Sequence, residues 1–277
     1  MQRRNSFVFG LGFAAVAALA LTGCAGGGGG TPTDANTDGS AAPQDFGLIQ
    51  AGTLTVCSDI PYPPFEFEDS SSPSGYSGFD IDLLTAIADS LDLDVSIQVV
   101  GFDGLQSGTT LVAGTCDIAA SAMTITEERA KNIDFSDPYY DSLQSLLVAS
   151  DSGIASIDDL AGKKVGVQQG TTGEAYAKDN VPEGTEIVSF PSDGELWPAL
   201  QGDVIQAILQ DQPVNIEHAR ADSGYTLVEE YDTDEQYGFA FAKGQKTALL
   251  EAVNAALADL RSDGTYQQIY DEYFAAN

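Results

Sequence analysis

The sequence predicts an α/β fold of two lobes, one inserted into the other. Three observations carry this. Short apolar segments alternate with segments of helical period from residue 54 onward, the order that builds parallel, doubly wound sheets. The alternation restarts after residue 150 as a second unit of the same kind. Residues 237–242 (YGFAFA) then read as a strand returning to the first unit, ahead of two closing helices. At 277 residues the chain suits one or two domains and can bury a core without a disulfide scaffold.

The N-terminal segment stands outside that fold. Arg3 and Arg4 precede an apolar stretch at 7–21 that is too short and too poorly flanked for a membrane-spanning helix. Leu21-Thr22-Gly23-Cys24 follows, and it resembles the bacterial lipobox, in which the cysteine is lipidated and becomes the first mature residue. Residues 1–23 are thus expected to be a lipoprotein signal peptide. Lipid on Cys24 would anchor the protein to the outer face of the cell membrane. An ordinary secretory leader with a chance cysteine is the alternative. Residues 24–45, Gly-rich and then polar, read as a flexible tether.

Charge excludes several partners. The chain has 42 Asp/Glu against 11 Lys/Arg, a net −31, and loss of Arg3 and Arg4 with the leader makes it more negative. Nucleic acid and anionic lipid would be repelled. The acids are dispersed, as on a solvated surface. Cys57 and Cys116 have no CxxC spacing and no histidine nearby, so neither a metal nor a cofactor is expected. In an exported protein the two are free to pair, each lying at a strand of the same expected sheet, with two buried thiols as the alternative.

Taken in order, residues 54–58 (LTVCS) form a strand that runs into a loop stiffened by Pro61, Pro63 and Pro64, which fixes Tyr62 and Phe65 just past the strand end. Ile81, Leu84, Ile87, Ala88 and Leu91 repeat at helical spacing. Strands are expected at 95–100 and 117–123. A helix is expected to start at Thr124 or Thr126 in a capping box, with Arg129 one turn in. A strand at 143–149 closes the first unit. The second unit offers strands at 164–168, 186–190, 205–209 and 226–229. Its helices start at the Thr171/Glu174 capping box, at Gly194 and at Val214; the last carries His218, expected on a surface. The hinge is expected at two strand crossings, near 145–148 and 237–239. Lobe 1 then comprises 46–145 with 238–277, and lobe 2 comprises 146–237.

These strand ends converge. The first lobe brings Asp59, Tyr62, Ala122, Thr124 and Arg129; the second brings Thr171, Thr172 and Asp211. In open α/β sheets ligands bind at the carboxyl ends of strands. An α-amino acid needs such a set: a guanidinium fork and helix-start N–H groups for its carboxylate, and a buried carboxylate for its ammonium. A surface pairing of Arg129 with Asp134 or Asp137 is the bland alternative.

A family is recognisable in these residues. Tyr62-Pro-Pro-Phe-Glu66, Gly78-Phe-Asp-Ile-Asp82, Met123-Thr-Ile-Thr-Glu-Glu-Arg129, Asp134-Phe-Ser-Asp-Pro-Tyr-Tyr140, Asp159-Leu-Ala-Gly-Lys163, Gly166-Val-Gln-Gln-Gly-Thr171 and Gln210-Asp211 occur in this order. The chain from residue 54 onward resembles the extracellular solute-binding proteins, family 3, of ABC importers for polar and basic amino acids. The resemblance implies a type II periplasmic-binding-protein-like fold that closes on a free amino acid and delivers it to an ABC permease. It implies Arg129 on the ligand carboxylate with backbone N–H groups of Thr124 and Thr172. Asp211, the Ala122 carbonyl and the Thr124 hydroxyl take the ammonium, Tyr62 and Phe102 sandwich the side chain, and Asp59 and Gln168 face its far end. A monomeric, non-enzymatic binding protein for arginine, lysine, histidine or ornithine is expected, with glutamine as the alternative ligand. A secreted cyclohexadienyl or arogenate dehydratase on the same fold and a ligand-sensing module are the competing readings. The run Phe102-Asp-Gly-Leu-Gln-Ser-Gly-Thr-Thr-Leu111 departs from the family pattern in length and lacks its proline, and the Cys57/Cys116 pair is not part of that pattern.

Overall fold

A computed structural model describes residues 45–275. The signal peptide expected over 1–23, Cys24 and the tether up to residue 44 lie outside the described residues. The first stretch runs through β1 (Thr53–Ser58), β2 (Phe67–Glu68), β3 (Tyr76–Ser77), α1 (Phe79–Ser90), β4 (Asp94–Val99), α2 (Phe102–Gln106), α3 (Thr109–Val112), β5 (Ile118–Ala119) and β6 (Ile133–Phe135). The second runs through β7 (Tyr140–Ala149), β8 (Lys164–Gln168), α4 (Thr172–Asn180), β9 (Glu186–Phe190), α5 (Asp193–Gln201), β10 (Ala207–Asp211), α6 (Gln212–Ala221) and β11 (Tyr225–Tyr237). The chain then returns through β12 (Ala240–Ala242), α7 (Thr247–Asp263) and α8 (Thr265–Phe274).

Two five-stranded sheets result, ordered β4-β1-β5-β12-β6 and β11-β7-β10-β8-β9. β1 is buried along its whole length, as a central strand covered on both faces must be. α1 packs one apolar face through Phe79, Ile81, Leu83, Leu84, Ile87 and Ala88. α7 does the same with Leu249, Val253, Ala256, Leu257 and Leu260. The first core is rich in rings, with Tyr139 stacked on Phe239 at 4.2 Å between centroids. Cys57 of β1 is bonded to Cys116, with 5.7 Å between their Cα atoms. Both lie in the apolar cluster that holds Phe102, Leu105 and Leu111, beneath the run that departs from the family pattern.

At its entry the chain is fastened to the first sheet. Asp117, fully buried, accepts the N–H groups of Ile49 (2.9 Å) and Thr55 (3.1 Å). Lys246 pairs with Asp117 at 2.7 Å and also donates to the Gly47 carbonyl.

Several expectations are corrected. The sheets are mixed rather than parallel: β12 runs antiparallel to β5 and β6, and β7 antiparallel to β10 and β11. The cause is that the crossing strands enter each sheet from the opposite lobe. The first crossing lies between β6 and β7 rather than near 145–148, because β7 is hydrogen-bonded to β11 from Tyr140 onward. The strand expected at 117–123 stops at Ala119, since Ala122 adopts φ 44° and turns the chain. The helix expected around Arg129 is a single 3₁₀ turn, Arg129–Lys131. Too few residues separate it from β6 to repay helix nucleation. The strand expected at 226–229 continues to Tyr237 through two register shifts. His218 is buried, not on a surface: its Nε2 lies 2.9 Å from Asp193 Oδ1, and its ring stacks on Trp197 at 4.3 Å.

Candidate functional site

The carboxyl ends of β1, β8 and β10, with the turn after β5, face one cavity. It is lined by Asp59, Tyr62, Phe102, Ser121, Ala122, Thr124, Arg129, Gln168, Thr171, Thr172 and Asp211. The structure therefore brings together all nine residues singled out above for ligand contact.

Arg129 is 5% exposed, and its Nη1 donates to the Thr124 carbonyl (2.8 Å) and Nη2 to the Gly170 carbonyl (3.0 Å). Its guanidinium carbon sits 5.2 Å from the centre of the Phe102 ring. Among the described residues it forms no ion pair. The surface pairing with Asp134 is overturned, because Asp134 pairs with Lys243 at 2.7 Å. Two carbonyls leave most of the guanidinium's five donors unused, and burial lowers Arg129 to about 10, still cationic at neutral pH. Gly170 ends the turn that opens α4, where Thr171 caps the helix by accepting the Glu174 N–H (3.1 Å) and Glu174 accepts the Gly170 N–H (2.9 Å). The α4 N-terminus thus adds its dipole to the guanidinium, and the two together suit an anion.

The opposite pole is acidic. Asp211, the last residue of β10, lies opposite Gln144 of β7 in register. Its carboxylate accepts from Tyr62 (2.9 Å), Tyr237 (2.5 Å) and Gln144 (2.5 Å). Burial and the neighbouring Glu235 charge push it up to about 7, while the donors from Tyr237, Tyr62 and Gln144 oppose the rise. At the third pole Gln168 donates to Asp59 at 2.5 Å across the two sheets. Burial raises Asp59 to about 6 against that hydrogen bond.

Behind the wall stands a second carboxyl pair. Glu66 accepts the Ser121 hydroxyl (2.7 Å), and Asp80 accepts the Ala122 N–H (2.9 Å) and the Tyr139 hydroxyl (2.6 Å). Glu66 and Asp80 thereby hold the positive-φ turn that aims Ala122 at the cavity. Burial pushes Asp80 up to about 7. Burial and the Asp80 charge drive Glu66 well above the usual carboxylate range.

Residues not anticipated are Ser121 on the wall and Gln144, Glu235 and Tyr237 behind it. Ser121, Gln144 and Tyr237 lie in stretches read only as strand and Glu235 in the polar run between two expected strands, and the register of β7 with β11 brings Gln144, Glu235 and Tyr237 together.

These shifts have a definite sign. A carboxyl raised in the folded state adds stability that is complete below its unfolded value near 4 and is lost as pH rises through the folded value. For Asp59, Asp80 and Asp211 that loss spans about pH 4 to 8. The melting temperature without added ligand is therefore expected to be higher at pH 5 than at pH 8, by about 4 °C or more. Asp80→Asn should shrink the difference. A melting temperature that rises from pH 5 to pH 8 would contradict this assignment.

A two-lobed α/β fold whose strand ends meet at a cavity holding a buried guanidinium and buried carboxyl groups defines a small-solute binding protein. The chain belongs to the bacterial extracellular solute-binding proteins, family 3, whose model matches residues 54–276. It is 32% identical to the L-cystine-binding protein TcyJ of Escherichia coli (strain K12) over 84% of this chain and 88% of that protein. Among solved structures it is similar to an ancestral arginine-binding protein bound to glutamine (TM-score 0.75, 38% identity, 82% of this chain and 100% of that one). It is also similar to an ancestral amino acid-binding protein described as a precursor of cyclohexadienyl dehydratase (TM-score 0.73, 38% identity, 80% of this chain and 96% of that one). This is the ABC amino-acid-binding family, and its members are extracytoplasmic or periplasmic proteins. Among the described residues no helix is long and apolar enough to cross a membrane.

Proposed function

We propose that the protein captures a free α-amino acid with a cationic side chain, such as arginine, lysine, histidine or ornithine, and delivers it to a membrane-embedded ABC permease. The observation that carries this is Arg129: a buried guanidinium with no ion pair among the described residues, in the same cavity as buried Asp211. An uncompensated buried charge costs several kcal/mol, and an α-carboxylate would supply the missing partner. Asp211 with the Ala122 carbonyl and Thr124 hydroxyl would take the ammonium, and the backbone N–H groups of Thr124 and Thr172 the carboxylate. Tyr62 and Phe102 would flank the side chain. The lean to a cationic side chain rests on Asp59, an acid at the far pole.

Glutamine is the second reading. The Gln168 amide already bonds to Asp59, so a ligand amide has the chemistry to replace it. The dehydratase reading is weaker. It would draw its acid from Asp59 or Glu66: Glu66 stands behind Ser121 rather than on the wall, Asp59 is on the wall but already accepts from Gln168, and the cavity lining includes no histidine. In the lipid-anchored form proposed here, Cys24 holds a monomer at the outer face of the cell membrane and Cys57–Cys116 stays oxidised; intact mass reads the lipid, and its change with reductant reads the disulfide.

A thermal-shift panel of the twenty amino acids with ornithine and citrulline tests the main reading. At a hundredfold excess over Kd a ligand adds about 2.7 kcal/mol of stability. Arginine or another basic amino acid should give the largest shift, and no shift with any α-amino acid would overturn the reading. Asp59→Asn separates the two side-chain classes. It should weaken arginine binding by about tenfold or more and glutamine binding far less, whereas equal losses would remove Asp59 from the side-chain pole.

A further inference from the structure

Glu235 does not line the cavity, yet it governs two groups that do. It lies on β11 just before the crossing and is 7% exposed. Its Oε2 accepts the hydroxyl of Thr124 (2.7 Å), from the first lobe, and of Thr172 (2.8 Å), from the second. Its Oε1 accepts Gln144 Nε2 (3.1 Å) and the Thr233 hydroxyl (2.9 Å). Four donors therefore occupy one carboxylate.

A hydroxyl has one proton and two lone pairs. With their protons directed to Glu235, Thr124 and Thr172 face the cavity with lone pairs alone. A threonine hydroxyl can ordinarily donate or accept, and here that choice is removed. Asp211 is likewise an acceptor toward the cavity when ionised. A primary ammonium brings three N–H donors to such a set. A 2-hydroxy acid brings one donor together with lone pairs that would oppose those of the threonines, and a 2-keto acid brings no donor.

We infer that Glu235 is a positioning residue that makes the Thr124 and Thr172 hydroxyls obligate acceptors, and so sets the preference for an α-ammonium over an α-hydroxyl or α-keto group. The inference rests on the amino-acid reading above.

The test is calorimetric titration at pH 8 of the wild type and Glu235→Gln with four probes: L-arginine, L-glutamine, and the 2-hydroxy acid analogue of each. The carboxamide of Glu235→Gln keeps the shape but turns one acceptor into a donor; with its NH2 toward Thr124 and Thr172, rather than against the Gln144 NH2, those hydroxyls regain a proton to offer the ligand. The wild type should prefer the amino acid strongly. In Glu235→Gln the ratio of amino-acid to hydroxy-acid affinity should fall about tenfold or more, through weaker amino-acid binding and unchanged or improved hydroxy-acid binding. A purely structural role would weaken both members of a pair equally, and an unchanged ratio overturns the inference while leaving the amino-acid reading intact. Wild-type protein that binds none of the four probes overturns that reading and the inference with it. Thr172→Val deletes one acceptor and keeps Glu235, so it carries the same comparison should Glu235→Gln fail to fold. Its ratio should fall in the same direction, and a ratio equal to wild type overturns the inference.

Discussion

Replacement of Arg129 by alanine should abolish amino-acid binding, with a loss of about a thousandfold or more. Removing one partner of a buried, hydrogen-bonded charge pair costs about 3–5 kcal/mol, much of it from the partner left unpaired. Here the ligand carboxylate would be stranded in a cavity lined by the acids Asp211 and Asp59, with only helix-start N–H groups in support. Arg129→Lys should fall nearly as far. A lysine places a point charge where a fork is needed, and it cannot reproduce the two carbonyl contacts together with a ligand. Titration with arginine and glutamine measures both variants. Retention of affinity within tenfold in the alanine variant would move the carboxylate site elsewhere. The remaining protein should stay folded, because Arg129 contributes no ion pair to the described structure.

The second large effect concerns folding. Gly78 has φ +126°, and a Cβ built there would lie 2.2 Å from the Phe65 carbonyl oxygen and 2.7 Å from the Glu66 nitrogen. Those neighbours are backbone and cannot swing aside. Pro64 and Phe65 in turn accept the N–H groups of Phe79 (2.9 Å) and Asp80 (3.0 Å), so relief at Gly78 would break the start of α1. Gly78→Ala should therefore cost about 4 kcal/mol or more, a fall in melting temperature of about 10 °C or loss of soluble protein. Gly75 supplies the control. It also has positive φ, at +82°, but nothing lies within 4 Å of its added Cβ. Gly75→Ala should cost only about 1 kcal/mol of backbone strain. Equal melting temperatures for the two variants would refute the steric account.

The contrast between these two glycines shows what the sequence made legible. Gly78 stands in a motif, and its neighbours Phe79 and Asp80 announce a helix start. The same local grammar placed Arg129, Thr171 and Asp211, each just beyond an apolar run and beside turn or cap residues. Strand ends are marked by chemistry that one segment carries alone. Glu235 has no such mark. It lies in Glu229-Glu-Tyr-Asp-Thr-Asp-Glu-Gln236, a polar run without alternation, and it is a strand residue only because β7 supplies a partner. Gln144 and Tyr237 turn inward for the same reason. The surface expectation for His218 fails although a polar helix face usually meets water. Here Asp193 and Trp197 cover it, and Asp193 in turn accepts Gln210 Nε2 (3.1 Å) from the strand that delivers Asp211. Such partners come from other segments, and a one-dimensional pattern holds no record of them.

The fastening of the chain at Ile49, Asp117 and Lys246 has a mechanical consequence. A pull on the chain ahead of residue 45 enters the molecule through that clamp and passes into β1 of the first sheet and the start of α7. α8, the last helix, packs on α1 and α7 in the same lobe. The second sheet lies off this path: its covalent links to the first are the crossings before β7 and after β11, and its other ties to it are side-chain hydrogen bonds such as that of Gln168 to Asp59. Tension on a tether would thus be borne by one lobe, like a boat moored by its hull with the rudder free to swing.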